Sequence, residues 1–166
     1  MTATPDEHGK DQLQVPLDLS EWCPKPALLA WIDEELATLD WANPDLVAYL
    51  RAHPDFQPRT LLRLLGFAYA TGIFESEEIV RLSYADANFR ALCNGAVPSA
   101  RELGRFRREN RGLCKWLLLQ TLKRALREKF ALANALLPAG LRQFLADIAN
   151  VRLDIARHVD RASHLA

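Results

Sequence analysis

The chain has 166 residues, of which 49% are hydrophobic and 25% charged, as expected for one soluble globular domain. No stretch approaches the roughly 18 consecutive apolar residues of a membrane-spanning helix. No apolar signal segment follows Met1. These features exclude a membrane protein and a wholly disordered chain, and we expect a cytoplasmic protein of bacterial type.

The formal net charge of zero hides a strong segregation of charge along the chain. Residues 1–58 carry three basic and eleven acidic side chains, a net charge of −8. Residues 59–129 carry fourteen basic and seven acidic ones, a net charge of +7, and residues 130–166 have a net charge of +1. Such asymmetry favours a polyanionic partner for the basic part. The alternative is that the acidic part covers the basic part in the fold.

No enzymatic or metal-binding motif is present. The three cysteines, Cys23, Cys93 and Cys114, lie far apart and form no CxxC pair, so neither a disulfide framework nor a zinc site is expected. They have the pattern of reduced, buried thiols. Phosphate-binding, dinucleotide-binding and hydrolase motifs are also missing. We therefore predict no catalytic site, no metal, no cofactor and no small-molecule substrate.

Helical spacing of apolar residues and prolines at helix starts predict an all-α fold, a multi-helix bundle. Pro26, Pro44 and Pro58 each open a helix, and the second ends at 53–54. Gly72 ends the third, which is apolar nearly all round. Ser76 is the expected cap of a fourth helix, and a fifth over 86–92 ends at the turn dipeptide 94–95.

The second half of the chain predicts three further helices. Ser99 and Glu102 form a capping box before the first of them. That helix either ends at 110–112 or runs on into the next one, a long helix over 113–136. The last helix covers 141–162, with apolar residues seven positions apart. We divide the chain into an extended or disordered segment (1–25), a helical domain (26–136), and a C-terminal segment (137–166) whose helix packs on that domain or serves association.

The run at 98–115 is the most basic part of the chain. At about 100° per residue its basic side chains fall within one arc of roughly 160°, with apolar side chains opposite. The basic set is Arg101, Arg105, Arg107, Arg108, Arg111 and Lys115, and the apolar set is Leu103, Phe106, Leu113 and Leu117. This pattern predicts a surface helix that docks on a core and presents its charge to a polyanion.

The central part of the chain resembles the N-terminal domain of bacterial insertion-sequence transposases of the DDE type, over about residues 27–130. The residues that carry the resemblance are Pro58, Arg59, Leu61, Leu62, Leu65, Ala68, Tyr69, Gly72, Ile73, Phe74, Ser76, Ile79, Phe89, Leu92, Gly95, Pro98, Leu103, Arg105, Phe106 and Arg107, with Ile32, Asp33, Leu39 and Asp40 upstream. The resemblance implies a helix-turn-helix-like centre that binds double-stranded DNA, with a recognition helix at about 99–110. Ser99-Ala100 replaces the Asp-His-like pair usual in the family, which puts recognition of transposon ends in doubt.

We therefore predict a non-catalytic DNA-binding protein, nucleoid-associated if it binds DNA. Ser99, Ala100, Arg101 and Arg105 are the expected base-reading residues, and the phosphate contacts are Arg107, Arg108, Arg111 and Lys115. Gly104 and Gly112 lie in the basic arc, where a small residue lets a backbone approach closely.

DDE chemistry needs three carboxylates that converge on two metal ions. Only three aspartates follow residue 130, at positions 147, 154 and 160. Asp147 and Asp154 are one heptad apart with arginines nearby, which is typical of a solvated helix face. We therefore expect no catalysis. The alternative function is a regulatory subunit derived from a transposase, which binds a protein partner or a second copy of itself instead of DNA.

Overall fold

The structure, a computed structural model, describes residues 13–52, 57–132 and 136–165. Within these ranges it contains eight α-helices and no strand, so the predicted all-α fold is confirmed. The helices are α1 (Lys25–Leu36), α2 (Pro44–Ala52), α3 (Pro58–Ala70), α4 (Ser76–Ala85), α5 (Ala87–Cys93), α6 (Ala100–Glu109), α7 (Arg111–Lys129) and α8 (Ala139–Leu165).

Prolines and turn residues set the ends of the helices in the first half, as predicted. Pro26 lies in the first turn of α1, and α2 and α3 begin at Pro44 and Pro58. Each of these prolines occupies a position where the helix needs no N–H donor. Gly72 follows α3 with φ +82, a conformation that favours glycine. The end of α2 predicted at 53–54 lies outside the described residues.

Helix α3 forms the centre of the bundle. All but three of its residues are buried, and it packs against α1, α2, α5, α6 and α7. Gly66 allows the closest of these approaches, because a Cβ there would lie only 2.6 Å from Cδ2 of Leu117 on α7. The nearly continuous apolar surface of α3 thus organises the helices around it.

Residues 13–24, within the segment predicted to be extended or disordered (1–25), pack against the core of the bundle. Residues 13–24 run along the bundle and include a 3-10 turn, Leu19–Glu21. Leu19 and Cys23 are buried, and the ring of Trp22 packs edge-on against Phe130 at 5.7 Å between centroids. Apolar residues within this otherwise polar segment therefore anchor it to the bundle. Residues 1–12 lie outside the described ranges.

The last two helices have different bounds from those predicted. Helix α7 ends at Lys129, not at residue 136, and Ala131 adopts a positive φ of 51 just beyond it. Helix α8 begins at Ala139, so Gly140 lies inside its exposed first turn and does not break it. Pro138 directly precedes this helix, where a proline is compatible with a helix start.

The buried thiols yield a first prediction. Burial raises the pKa of Cys23 to about 11 and that of Cys114 to about 12, and it also raises the pKa of Cys93. We expect thiol reagents at neutral pH to react with the native protein about a hundredfold more slowly than with the unfolded chain, because the thiolate is the reactive form. In denaturant all three cysteines should react, and the Cys23→Ser variant should show two reactive thiols instead of three. Rapid modification of the native protein would contradict this prediction.

Candidate nucleic-acid interface

Helix α6 carries the centre of the predicted basic surface. Its N-cap is Ser99, whose Oγ accepts a hydrogen bond from the N–H of Glu102 at 3.1 Å, as the capping pattern predicts. On the inner side, Leu103 and Phe106 are completely buried. The helix is therefore fixed at its start by a cap and along its length by the core.

The basic residues of 98–115 lie on two helices, which is one of the two possibilities that the sequence left open. Helix α6 ends at Glu109, and Asn110 leaves helical geometry with φ −127 and ψ 36. Both the backbone N–H and the side-chain Nδ2 of Asn110 donate to the carbonyl of Phe106, at 2.8 and 3.2 Å. Arg111 and Lys115 consequently belong to α7, and the single basic arc applies only within α6.

Three arginines form a compact stripe along α6, which we call the arginine row: Arg101, Arg105 and Arg108. Their spacing of four and three residues places them within an arc of about 60°. Arg101 and Arg108 are exposed and Arg105 is half-buried. Neither Arg101 nor Arg108 forms an ion pair with any described residue. The row is therefore a concentrated positive stripe, with the exposed Ser99 at its N-terminal end.

Gly104 is buried and lies between the arginine row and the inner face of α6. A Cβ at this position would be 3.3 Å from Nη1 of Arg108 and 3.7 Å from Oδ2 of Asp160. The Arg108 side chain thus lies across the bare backbone of the helix. Gly112, in contrast, stands in open space in the first turn of α7.

Arg107 is not part of this surface. It is only 3% exposed, and its Nη1 donates to Oδ2 of Asp160 on α8. Burial alone lowers the pKa of Arg107, but Tyr69 and Asp160 reverse the shift and hold the pKa above its ordinary value. Since a phosphate cannot reach a buried, paired guanidinium, we remove Arg107 from the predicted phosphate contacts.

Asp160 joins three helices in a buried cluster. Besides Arg107 of α6, it accepts from the backbone N–H and the Oγ of Ser76, the first residue of α4, at 2.8 and 2.7 Å. We expected the Ser76 side chain to cap α4, but it does not. The carboxylate of Asp160, on α8, accepts the hydrogen bonds at the start of α4 instead. A second bond, from Ser163 Oγ to Glu75 Oε1 at 2.9 Å, supports the same contact. Asp160 is therefore buried, unlike the exposed Asp147 and the half-buried Asp154 on the same helix.

The two remaining predicted phosphate contacts lie on α7. Arg111 is half-buried, and its Nη2 donates to Oδ1 of Asp154 at 3.0 Å and to the backbone carbonyl of Asn150 at 3.4 Å. Lys115, one turn further along α7, is also half-buried. The predicted basic residues are therefore divided among different environments. Arg101, Arg105 and Arg108 form the row on α6, and Arg107 and Arg111 bond to aspartates of α8. Lys115 lies on α7.

The acidic first helix neutralises other parts of the chain. Glu34 and Glu35 of α1 both contact Arg124 of α7, and Asp33 pairs with Arg63 of α3 at 2.7 Å. The acidic N-terminal part thus covers some of the basic charge, as one of our alternatives proposed. Its contacts involve α3 and α7, and they leave Arg101 and Arg108 unpaired among the described residues.

A groove of about 840 Å³ lies between α2 and the junction of α6 with α7. Asp40, Asp45 and Glu109 are among its lining residues, so its charge does not suit a polyanion. Over the described ranges, no cluster of three or more side chains could hold a metal ion. None of the helices described is long and apolar enough to cross a bilayer.

Comparison with known families adds a second, independent observation. A family described as a transposase domain (DUF772) matches residues 17–109, more than half of the chain. The chain belongs to this transposase-domain family. No curated protein and no solved structure matches it. The transposase domain begins in the N-terminal segment and ends with α6, so it contains the whole arginine row, whereas α7 and α8 lie outside the matched residues.

Proposed function

We propose that this protein binds duplex DNA through the arginine row of α6, without cleaving it. The observation that carries the proposal is the exposed stripe of arginines on the last helix of a transposase domain, with no acidic partner for Arg101 or Arg108 among the described residues. Guanidinium groups bind backbone phosphates and release condensed counterions, which supplies affinity for any DNA sequence.

In the proposed helix-turn-helix-like arrangement α6 is the recognition helix, and it packs against α4. In such motifs the N-terminal residues of the recognition helix reach base edges. Ser99 and Arg101 occupy that end here, while Arg105 and Arg108 lie further along the same face. The connection from α5 to α6 spans residues 94–99, longer than the usual turn of about three or four residues.

The buried cluster of Arg107, Asp160 and Ser76 fixes the orientation of α6, and thus of the arginine row, before DNA binds. Arg107 lies on the inner side and is held by Asp160, so the helix is locked against rotation about its axis. Leu103 and Phe106 fix the same side through packing. A surface whose orientation is set before binding loses less conformational entropy in the complex.

Salt dependence provides a quantitative test. If the three arginines of the row each neutralise one phosphate, affinity should fall about 40-fold between 50 and 200 mM salt. Fluorescence anisotropy with a labelled duplex measures this slope directly. A fall in affinity of several-hundred-fold over the same salt range would mean about five phosphate contacts. It would then indicate that Arg111 and Lys115 also contact the DNA. No binding at low salt would refute the proposal.

Removal of the unpaired arginines tests the same surface by mutation. The double variant Arg101→Ala, Arg108→Ala should reduce the slope of log affinity against log salt by about 1.8. Arg142→Ala, which removes an exposed arginine on α8, is the matched control and should leave the slope unchanged. Equal slopes for the wild type and the double variant would contradict the assignment. Cleavage of the duplex in magnesium or manganese would contradict the non-catalytic part of the proposal.

A further inference from the structure

Helix α8 carries a second apolar stripe in addition to the face that packs on the bundle. Its residues alternate at spacings of three and four, the heptad pattern of a coiled-coil seam. We call this stripe the α8 seam; it consists of Leu141, Phe144, Ile148, Val151, Ile155 and His158. Val151 is 55% exposed and Phe144 36%, and the aliphatic residues between them are half-buried.

The seam borders the core-facing side of α8: Leu141, Ile148 and Ile155 also pack against the core, whereas Phe144 and Val151 are exposed. The core side consists of a different set of positions, all buried: Leu145, Ala149, Arg152, Leu153 and Ala156. Spacings of three and four residues fit a helix packed on a core as well as a coiled-coil seam. The part of the stripe left for another helix is the exposed pair Phe144 and Val151, one heptad apart.

We propose that the α8 seam binds the α8 seam of a second copy of this chain, with the two helices antiparallel. Charges on one flank of the seam select this partner and this direction. Asp147 and Arg161 both lie on that flank, both are exposed, and neither has an ion-pair partner among the described residues. An antiparallel pair centred near residue 153 places Asp147 opposite Arg161 of the partner subunit, and does so twice by symmetry.

The same register gives compatible apolar layers. Val151 faces Ile155 of the partner subunit at the centre, and Phe144, the largest side chain of the seam, faces Ala162 of the partner subunit, which is small and exposed. The two Asp154 carboxylates come together near the symmetry axis. Each is already paired within its own chain with Arg111 at 3.0 Å and Arg157 at 3.7 Å, which offsets their mutual repulsion.

Other alignments of the two seams are less favourable. A shift of one heptad places Asp147 opposite Asp154 of the partner subunit, which is repulsive. A parallel arrangement places Asp147 beside Arg152, whose guanidinium is buried and bound to backbone carbonyls of its own chain. The opposite shift pairs Asp154 with Arg161 of the partner subunit but shortens the overlap of the two helices and leaves Phe144 outside it, so the register centred near residue 153 is the one that combines opposite charges with the full apolar stripe.

The molar mass in solution, without DNA, tests the interface. We expect the wild type to approach twice 18.8 kDa as its concentration rises in sedimentation or light-scattering experiments. Val151→Glu should restore a mass of 18.8 kDa at every concentration. Because Val151 is exposed in the single chain, the melting temperature of Val151→Glu should stay close to that of a control, Arg142→Glu, which changes an exposed position about 180° around the helix from Val151. A monomeric wild type, or a Val151→Glu variant that still dimerises, would overturn the proposal.

Charge reversal tests the register. Arg161→Glu should weaken the dimer about tenfold, because it replaces two attractive pairs with two repulsive ones. Asp147→Arg should do the same, and the double variant Asp147→Arg, Arg161→Glu should recover dimerisation. Failure of the double variant to recover would exclude the antiparallel register. The outcome is independent of DNA binding, since no DNA is present in any of these measurements.

Discussion

Replacement of Asp160 by alanine is expected to lower the free energy of unfolding by about 3–5 kcal/mol, the usual loss when one partner of a buried ion pair is removed. The side chains of Asp160 and Arg107 are 10% and 4% exposed. Without the carboxylate, the Arg107 guanidinium stays buried next to the hydroxyl of Tyr69 with no counter-charge. Ser76 also loses the acceptor for its backbone N–H and its hydroxyl.

Chemical denaturation followed by circular dichroism measures this loss, with Asp147→Ala as the control. Asp147 is an exposed aspartate on the same helix, and its removal should change stability by less than about 0.5 kcal/mol. A second variant, Asp160→Asn, keeps an acceptor for Ser76 and should lie between the alanine variant and the wild type. Equal stability of Asp160→Ala and Asp147→Ala would show that the cluster is not a stabilising element.

Replacement of Arg152 by methionine should cost a similar amount, about 3–5 kcal/mol, for a different reason. Arg152 is 2% exposed and forms no ion pair with a carboxylate among the described residues; its guanidinium donates to backbone carbonyls. Nη1 bonds to Tyr69 at 2.7 Å and to Leu17 at 2.9 Å, and Nη2 bonds to Pro16 at 2.7 Å. These bonds satisfy the C-terminal end of α3, where the helix dipole favours a cation.

Burial lowers the pKa of Arg152 to about 10, which is still well above neutral, so the side chain remains charged in the folded protein. Methionine fills a comparable volume but leaves the carbonyls without a donor. Arg157→Met, a change at a partly exposed arginine on the same helix, is the control. Hydrogen exchange gives a local readout: Arg152→Met should lose protection first near Leu19, because residues 16–17 lose their attachment. Unchanged exchange there would contradict this assignment.

The sequence predicted those features that depend on neighbouring residues. Helix starts at Pro26, Pro44 and Pro58 followed from the fixed φ of proline, and the cap at Ser99 followed from a side chain that bonds three residues ahead. The apolar face of α6 followed from helical spacing. Each is a local interaction, so each can be read from a short stretch of chain.

The interior arginines were not predictable in the same way, because distant residues determine their environment. Arg107 bonds to a residue 53 positions away, and Arg152 bonds to one 136 positions away. One local signal existed for Arg107: at about 100° per residue it lies only about 40° from the buried Leu103. An arginine at the border of an apolar face is therefore a weak candidate for a phosphate contact.

The break between α6 and α7 also changed the predicted surface. Asn110 and Gly112 both have low helix propensity, so a break was one of two options open from the sequence. Once the helix ends at Glu109, the residues beyond it no longer continue the angular pattern of α6. The charged surface is consequently smaller than predicted, and its three members lie closer together.

The cluster around Asp160 has a consequence for where an autonomous folding unit ends. The residues shared with the transposase family stop at 109, yet Arg107 within them depends on a carboxylate from α8. Likewise, α3 depends on Leu117 of α7 and on Arg152 of α8 for its packing and its terminal carbonyls. A polypeptide trimmed to 17–109 would retain every arginine of the row but would lose the support that orients them, so the smallest cooperative unit extends through α8.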